Sequence, residues 1–394
     1  MNIIKLDRQL ETQPKEVVFC RSCVVSNQRF RLQVGQDGIC SACNFRKREQ
    51  TEINWAEREK ELQELAAELR RRPGIHGVVA VSGGKDSGWI AHTLKNELGL
   101  NIVCACFRPF VRTDIGERNY QAFINSGFQV LEGCPNGNFH RKLARLCFDT
   151  LLDHWGAFGL AQMAYPHWLA LQLKAPTVWY CENGSAHYDG DPAVINLKGM
   201  PVSEWATRYH KGRTIDDLVD FGLENGYFHK SDFTAQDLAW YRAPDPQELE
   251  DAGLNMHWLA AYRRHDPMEA FYTASQYTGF QPNTERSEGT YTKYSSIDDK
   301  CDGFHFWLGW IKMGIGRATS DASHEVRDGQ LTRDEAVALV RRYDGEFPKR
   351  YFQEFLEYLD ITEEHFWEVV NAWRAPHLWA KDAGGKWKLR HQVS

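Results

Sequence analysis

The stretch Val78-Val79-Ala80-Val81-Ser82-Gly83-Gly84-Lys85-Asp86-Ser87 decides the fold. Its apolar first half, preceded by Gly77, reads as a strand buried on both faces. The two glycines let the chain turn sharply, and a helix from Ser87 to Leu98 follows, stopped by Gly99. Working outward, 55–72 is an amphipathic helix with Asn54 as its N-cap and Glu57 three residues on. Ile102 to Phe107 is a second buried strand. Glu117 to Asn125 is a helix, and Phe128 to Leu131 a third strand. Phe139 to Trp155 and Leu160 to Lys174 are helices, and 177–181 is a fourth strand. Strands alternating with helices predict an α/β fold with a parallel sheet and right-handed crossovers.

A loop that leaves a strand and opens a helix suits an anion, because the first helical N–H groups point at it and the dipole favours negative charge. Ser82, Gly83, Gly84, Lys85, Asp86 and Ser87 are therefore candidate binding residues. Lys85 supplies charge, and Asp86 can hold Mg2+ or position the loop. Neither G-x-x-x-x-G-K-S/T nor G-x-G-x-x-G is present. Ser82 and Lys85 match an S-x-x-K pattern, but S-D-N and K-T-G are missing. In such sheets ligands lie beyond the C-terminal ends of the strands. That nominates Phe107 and Arg108, and Glu182, Asn183 and Gly184, against the alternative of ordinary loop residues.

Near the N-terminus, Cys20-Arg-Ser-Cys23 and Cys40-Ser-Ala-Cys43 are separated by sixteen residues. Two such knuckles predict a tetrahedral, structural Zn2+ site with no open position. Disulfides or free thiols, or an iron–sulfur cluster, are the alternatives. Ten cysteines in 394 residues are too few for a disulfide scaffold. With 42% hydrophobic and 25% charged residues the chain has an ordinary globular composition. Its net charge of −6 argues against a nucleic-acid binder. No apolar run approaches the length of about 18 residues that spans a membrane. The first residues lack a signal-peptide core, so a cytoplasmic location is expected. The expected domains are 1–50 (zinc module), 51–190 (nucleotide-type α/β domain) and 191–394 (mainly helical). Thr332 and Glu335 form a capping box. The basic last ten residues read as a mobile tail.

The loop at 82–87 resembles the S-G-G-x-D-S signature of the PP-loop ATP pyrophosphatase superfamily. Further on, EGTYTKYSSIDDK at 288–300 and GIGRATSDASHEVRDG at 314–329 are dense in polar groups. With the two cysteine knuckles, VSGGKDS at 81–87 and Glu182-Asn-Gly184, they resemble the N-acetyl sugar amidotransferase family of bacterial surface-polysaccharide biosynthesis. That likeness runs over nearly the whole chain. It differs at Cys181, where the family has Gly.

The resemblance implies a Rossmann-like PP-loop domain that uses ATP and Mg2+ to turn a sugar acetamido group into an acetamidino group. The amide oxygen attacks the α-phosphate, pyrophosphate leaves, and ammonia displaces AMP. Lys85, with Lys293 or Arg317, would neutralise phosphates. Asp86, Glu182, Asp298 and Asp299 are the acidic candidates for Mg2+ or for deprotonating ammonium. Asp298 and Asp299 read equally as a solvated turn. The implied acceptor is a nucleotide-linked or nonulosonic N-acetyl sugar, and the Trp-rich region 200–310 is the expected place for it. The chain starts Met1-Asn2 and no cysteine lies in a Gly-x-Cys-x-Gly elbow. No glutaminase activity is therefore expected in this chain, and the resemblance implies a separate glutaminase with a barrel-type channelling subunit. The competing enzyme is a PP-loop tRNA-thiolation enzyme, with Cys104 and Cys106 as sulfur carriers. A non-enzymatic zinc-ribbon scaffold is the third reading.

Overall fold

The computed structural model describes residues 3–394. Met1 and Asn2, on which the absence of an N-terminal cysteine nucleophile rests, lie outside the described residues. The centre is a five-stranded sheet of order β3-β2-β1-β4-β5. Its strands are β1 (Gly77–Ala80), β2 (Ile102–Phe107), β3 (Val130–Gly133), β4 (Thr177–Tyr180) and β5 (Asn255–Trp258). All four pairings are parallel.

Alternate side chains of each strand feed two different cores, because the side-chain period of a strand is two. Val78, Val103, Ala105, Phe107 and Val178 join one large cluster. Val79, Ile102, Cys104, Cys106 and Trp179 join another. Helices cover both faces, so these strands read as unbroken apolar runs. On the first face lie α5 (Gly137–Leu151) and α6 (Trp155–Leu173). On the second lie α2 (Trp55–Arg70), α3 (Lys85–His92) and α4 (Asp114–Asn125), while α1 (Ser41–Glu52) starts from Cys40 of the second cysteine pair. Chain order runs outward from β1 to β3 on one side, then restarts at β4 on the other. The switch point between β1 and β4 is where such sheets open a crevice.

The structure moves several expected boundaries. The helix after the glycine loop begins at Lys85 rather than Ser87, and from Thr93 to Glu97 it widens into a π-type turn before Gly99. Strand β3 lies two residues later than expected. The break between α5 and α6 falls at 152–154, not around Gly156 and Gly159. Leu152 adopts φ +45°, and the Trp155 amide donates to Asp153 Oδ1 at 3.2 Å. Asp153 is buried against Lys211 and His305, so tertiary pairing fixes that break. Strand β5, in a region expected to be helical, was not anticipated. The C-terminal tail, expected to be mobile, carries a strand and one buried residue. Trp387–Leu389 pairs with Trp379–Lys381, and Val393 is buried beside Val24 and Val340.

Candidate functional site

Gly83 has φ +92°, and a Cβ there would lie 2.9 Å from the Tyr120 Cα, so only glycine fits this turn. The loop is braced internally. The Ser82 amide donates to Ser87 Oγ at 2.8 Å, and the Gly84 amide to Ser82 Oγ at 3.2 Å. Gly84 stands at the N-cap of helix α3, and no side chain caps the helix. Its first amides are left for another partner.

The far wall of the site comes from residues 294–302 and 317. This polar segment lies along 111–113. The Thr113 amide donates to the Asp298 carbonyl at 3.1 Å, and the Lys300 amide to the Val111 carbonyl at 2.8 Å. Gly116 permits that approach, since a Cβ there would meet the Asp298 carbonyl oxygen at 2.4 Å. Asp298 then reaches the loop, accepting from the Ser82 hydroxyl at 3.2 Å.

Two chambers meet at Lys85. One, of about 230 Å3, is lined by Ser82, Gly84, Lys85 and Asp86, by Phe107, Trp155 and Phe158, and by Asp298, Asp299, Asp302 and Arg317. The other, of about 200 Å3, is lined by Lys85, Asp86, Glu182, Tyr188, His265, Arg317 and His324. Lys85, Asp86, Tyr294, Ser295 and Arg317 belong to both.

Charges in the site are paired or perturbed. Lys85 Nζ lies 2.7 Å from both Asp86 oxygens, and His265 Nε2 lies 3.0 Å from Asp86 Oδ1. Burial opposes the charge on each, yet Asp86 holds the Lys85 ammonium above its ordinary value. Lys85 and His265 hold the Asp86 carboxyl well below its own. Asp86 is thus engaged within the protein rather than free for an ion. Burial and the nearby Asp302 push Asp298 up to about 6, against the Ser82 hydrogen bond. Burial pushes Asp299 to about 7, although it accepts amides from Cys301 at 2.6 Å and Val111 at 3.0 Å. Asp299 is 3% exposed, so the solvated-turn reading fails for it. Arg317, in the shared wall, donates to Asp321 Oδ1 at 2.9 Å.

Glu182 faces the second chamber. Its Oε2 lies 3.6 Å from His187 Nδ1 and 3.9 Å from His265 Nδ1, and these contacts hold its carboxyl below the ordinary range despite burial. Asn183 is buried and serves the backbone, accepting from the Ser185 amide at 3.1 Å, with Gly184 leading into that turn. Arg108 points away, with Nη1 3.8 Å from Cys134 Sγ. Lys293 is exposed, and neither residue lines the two chambers. Ser87 is buried under the loop. His187, His265, Trp155 and Arg112 went unnoticed in the sequence, because none sits in a spaced motif. Within the region expected to hold a sugar, Trp205 and Trp258 are core residues at 1% exposure; the aromatic face beside the loop is Trp155. Cys104 and Cys106 are at most 1% exposed, and burial raises both thiols, Cys106 to about 12. Buried neutral thiols make poor sulfur carriers.

The cysteine knuckles converge as the spacing predicted. Cys20 Sγ and Cys43 Sγ are 3.9 Å apart, and Cys23 Sγ and Cys40 Sγ 3.7 Å. The edge of a tetrahedron with zinc–sulfur bonds of about 2.3 Å is about 3.8 Å, so the four sulfurs fit Zn2+. The amides of Ser22, Cys23 and Cys40 donate to Cys20 Sγ, supporting thiolate there. The module grips the turn after β4. Arg31 Nη2 pairs with Asp189 at 2.7 Å, and Ser41 Oγ donates to the Asp189 carbonyl at 2.5 Å.

No helix is long and apolar enough to cross a membrane among the described residues. No curated protein matches the chain. Residues 288–393 match the family model described as "LPS biosynthesis protein WbpG-like, C-terminal domain". The matched segment holds Tyr294, Asp298, Asp299, Asp302 and Arg317, the wall that faces the glycine loop. The C-terminal region, and with it that wall, is therefore similar to the C-terminal domain of an LPS biosynthesis protein family.

Proposed function

We propose that the protein is an ATP-dependent amidotransferase of surface-polysaccharide biosynthesis. It would convert a sugar acetamido group to an acetamidino group. One observation carries the reading: an anion-type loop and an LPS-family segment close on each other through Ser82 and Asp298, leaving two chambers that meet at Lys85. A reaction that joins a nucleotide to a second substrate needs such a meeting point.

In this reading the triphosphate lies on the uncapped start of α3, with Lys85 and Arg317 beside it. The base lies toward Phe107, Trp155 and Phe158. Asp298 and Asp302, which have no ion-pair partner among the described residues and, unlike Asp299, are not held by two backbone amides, would hold Mg2+, which would supply charge neutralisation to the phosphates. The sugar enters the second chamber. Its amide oxygen attacks the α-phosphorus, and the bond to pyrophosphate breaks. Ammonia adds to the activated carbon, gives up a proton, and the C–O bond to AMP breaks. Burial of Lys85 and Arg317 strengthens their hold on the charge that develops. Glu182, flanked by two imidazoles, would take the proton. The acceptor is a nucleotide-linked or nonulosonic N-acetyl sugar, and ammonia comes from a separate glutaminase with a barrel-type channelling subunit.

The test is mass spectrometry of a reaction with ATP, Mg2+, ammonium and a UDP-linked 2,3-diacetamido uronic acid. Nonulosonic acids form a parallel series. A product lighter by about one mass unit, formed with AMP, supports the proposal, since replacing O by NH removes that mass. ADP in place of AMP, or no changed sugar in either series, overturns it.

A further inference from the structure

Beyond the cysteine site, the structure brings Glu182, His187 and His265 together, with one ligand atom of each lying within 4.8 Å of the others. We propose that these three residues form a second metal site, for a divalent transition ion of the zinc type, at the wall of the 200 Å3 chamber. The site does not depend on the nucleotide reading.

Four observations carry it. First, the spacing is right. Zinc bonds of about 2.0–2.2 Å to nitrogen and oxygen give tetrahedral edges of about 3.3–3.6 Å. Glu182 Oε2 stands 3.6 Å from His187 Nδ1 and 3.9 Å from His265 Nδ1. Those two edges need only a few tenths of an ångström of closure, and the third, between the two histidines, is within 4.8 Å.

Second, His265 is oriented as a ligand. Its Nε2 faces Asp86 Oδ1 at 3.0 Å. A proton on Nε2 donated to that carboxylate leaves Nδ1 with a free lone pair turned toward Glu182. A carboxylate behind a histidine is the usual outer support of a ligating imidazole. His187 has a longer counterpart, with Nε2 3.9 Å from the buried Glu49 Oε1.

Third, the inner atoms lack other partners. His187 Nδ1 is buried with no hydrogen bond, although buried ring nitrogens are normally satisfied. Among the described residues no Lys or Arg pairs with Glu182; its ion-pair partners are the two histidines.

Fourth, the neighbouring set of Asp86, Cys181 and His265 is less suited, although it also falls within ligand spacing. Both Asp86 oxygens are held by Lys85.

Two histidines and one carboxylate are the ligand set of zinc sites that retain an open position, whereas four cysteines close theirs. Glu182 and His265 line the chamber shared with Lys85 and Arg317, so a small neutral donor such as water or ammonia in that chamber can reach the ion.

The full chain is loaded with Co2+, freed of excess metal by desalting, and its metal content measured beside its visible spectrum. The expected result is a second equivalent per chain above the one in the cysteine site. Its bands should lack the thiolate charge transfer of that first site. His187→Ala and His265→Ala should each lose the second equivalent and keep the thiolate band, which also reports an intact fold. His187→Gln serves if an alanine variant aggregates. Wild-type protein that saturates at one equivalent with the thiolate band present overturns the proposal. So does a His187→Ala, His265→Ala double variant that keeps both equivalents. Sugar turnover does not enter this readout, so its outcome is separate from that of the amidotransferase test.

Discussion

The Ser82 hydroxyl donates to Asp298 Oδ2 at 3.2 Å, tying together residues 216 positions apart. This contact latches the C-terminal segment onto the glycine loop. Asp298→Ala should lower nucleotide consumption by about 10- to 100-fold, the scale of losing one or two hydrogen bonds of about 1–3 kcal/mol at a reacting site. Because its carboxyl is raised to about 6, Asp298 gains its charge as pH rises through that value. Activity that needs the carboxylate should climb between about pH 5 and 7, and Asp298→Asn should flatten the climb. AMP release across that range checks both. A profile unchanged in Asp298→Asn would remove Asp298 from the chemistry.

Lys85 borders both chambers, as Arg317 does, and its ammonium also bonds both oxygens of Asp86. Lys85→Met should cost about 100-fold or more in turnover, as expected for a buried charge facing a developing anion. Lys85→Arg should not rescue it, because the wider guanidinium cannot occupy the position of a compact ammonium. Steady-state AMP formation measures the loss, and circular dichroism should show an intact fold.

The four sulfurs are spaced for Zn2+, and their module grips Asp189 in the turn that carries His187. Cys40→Ser should lose the bound zinc and destabilise the protein by about 3 kcal/mol or more, since metal binding is folding free energy. It should also open residues 182–190 to proteolysis. Metal analysis, thermal melting and limited proteolysis read these effects. A chain that melts identically with and without the four thiols would refute a structural role.

His154 is fully buried in an aromatic box with Phe110, Trp155 and Phe355, and neither ring nitrogen has a side-chain partner. Burial pushes its pKa down to about 3. The folded state therefore holds it neutral while the unfolded chain protonates it below about 6.5. The stability this contributes is present above pH 6.5 and is lost as pH falls toward 3. His154→Phe should be more stable than wild type by about 1–2 kcal/mol at neutral pH, by removing unsatisfied polar atoms. The gap should widen by about 1.4 kcal/mol per pH unit below 6.5. Urea melts at pH 7 and pH 5 compare the two. An equal or smaller gap at pH 5 would contradict this account.

Reading by pattern succeeded where the signal is local. The apolar runs of β1 and β2, the positive φ at Gly83 and Gly99, the Asn54 cap and the Thr332–Glu335 capping box all follow from neighbours within a few residues. It missed β5, because Asn255–Trp258 is short and carries its apolar character only when set beside β4. It misplaced the α5–α6 break, because Asp153 meets Lys211 and His305 only in the folded chain. Half of the candidate site was legible. Ser82 to Asp86 and the cysteine knuckles are motifs whose spacing is itself the chemistry. His187 and His265 are single histidines 78 positions apart, each unremarkable alone.

By itself the sequence determined the parallel α/β sheet, the loop that opens α3 and four thiols spaced for one metal ion. Each depends on backbone preferences and residue spacings that a short segment carries with it. Tertiary structure alone decided that Asp298 touches Ser82, that Asp299 is buried, that Lys293 and Arg108 stand apart from the chambers, and that two histidines flank Glu182. Those relations join distant segments, and the packing of helices on both faces of the sheet sets where such segments meet.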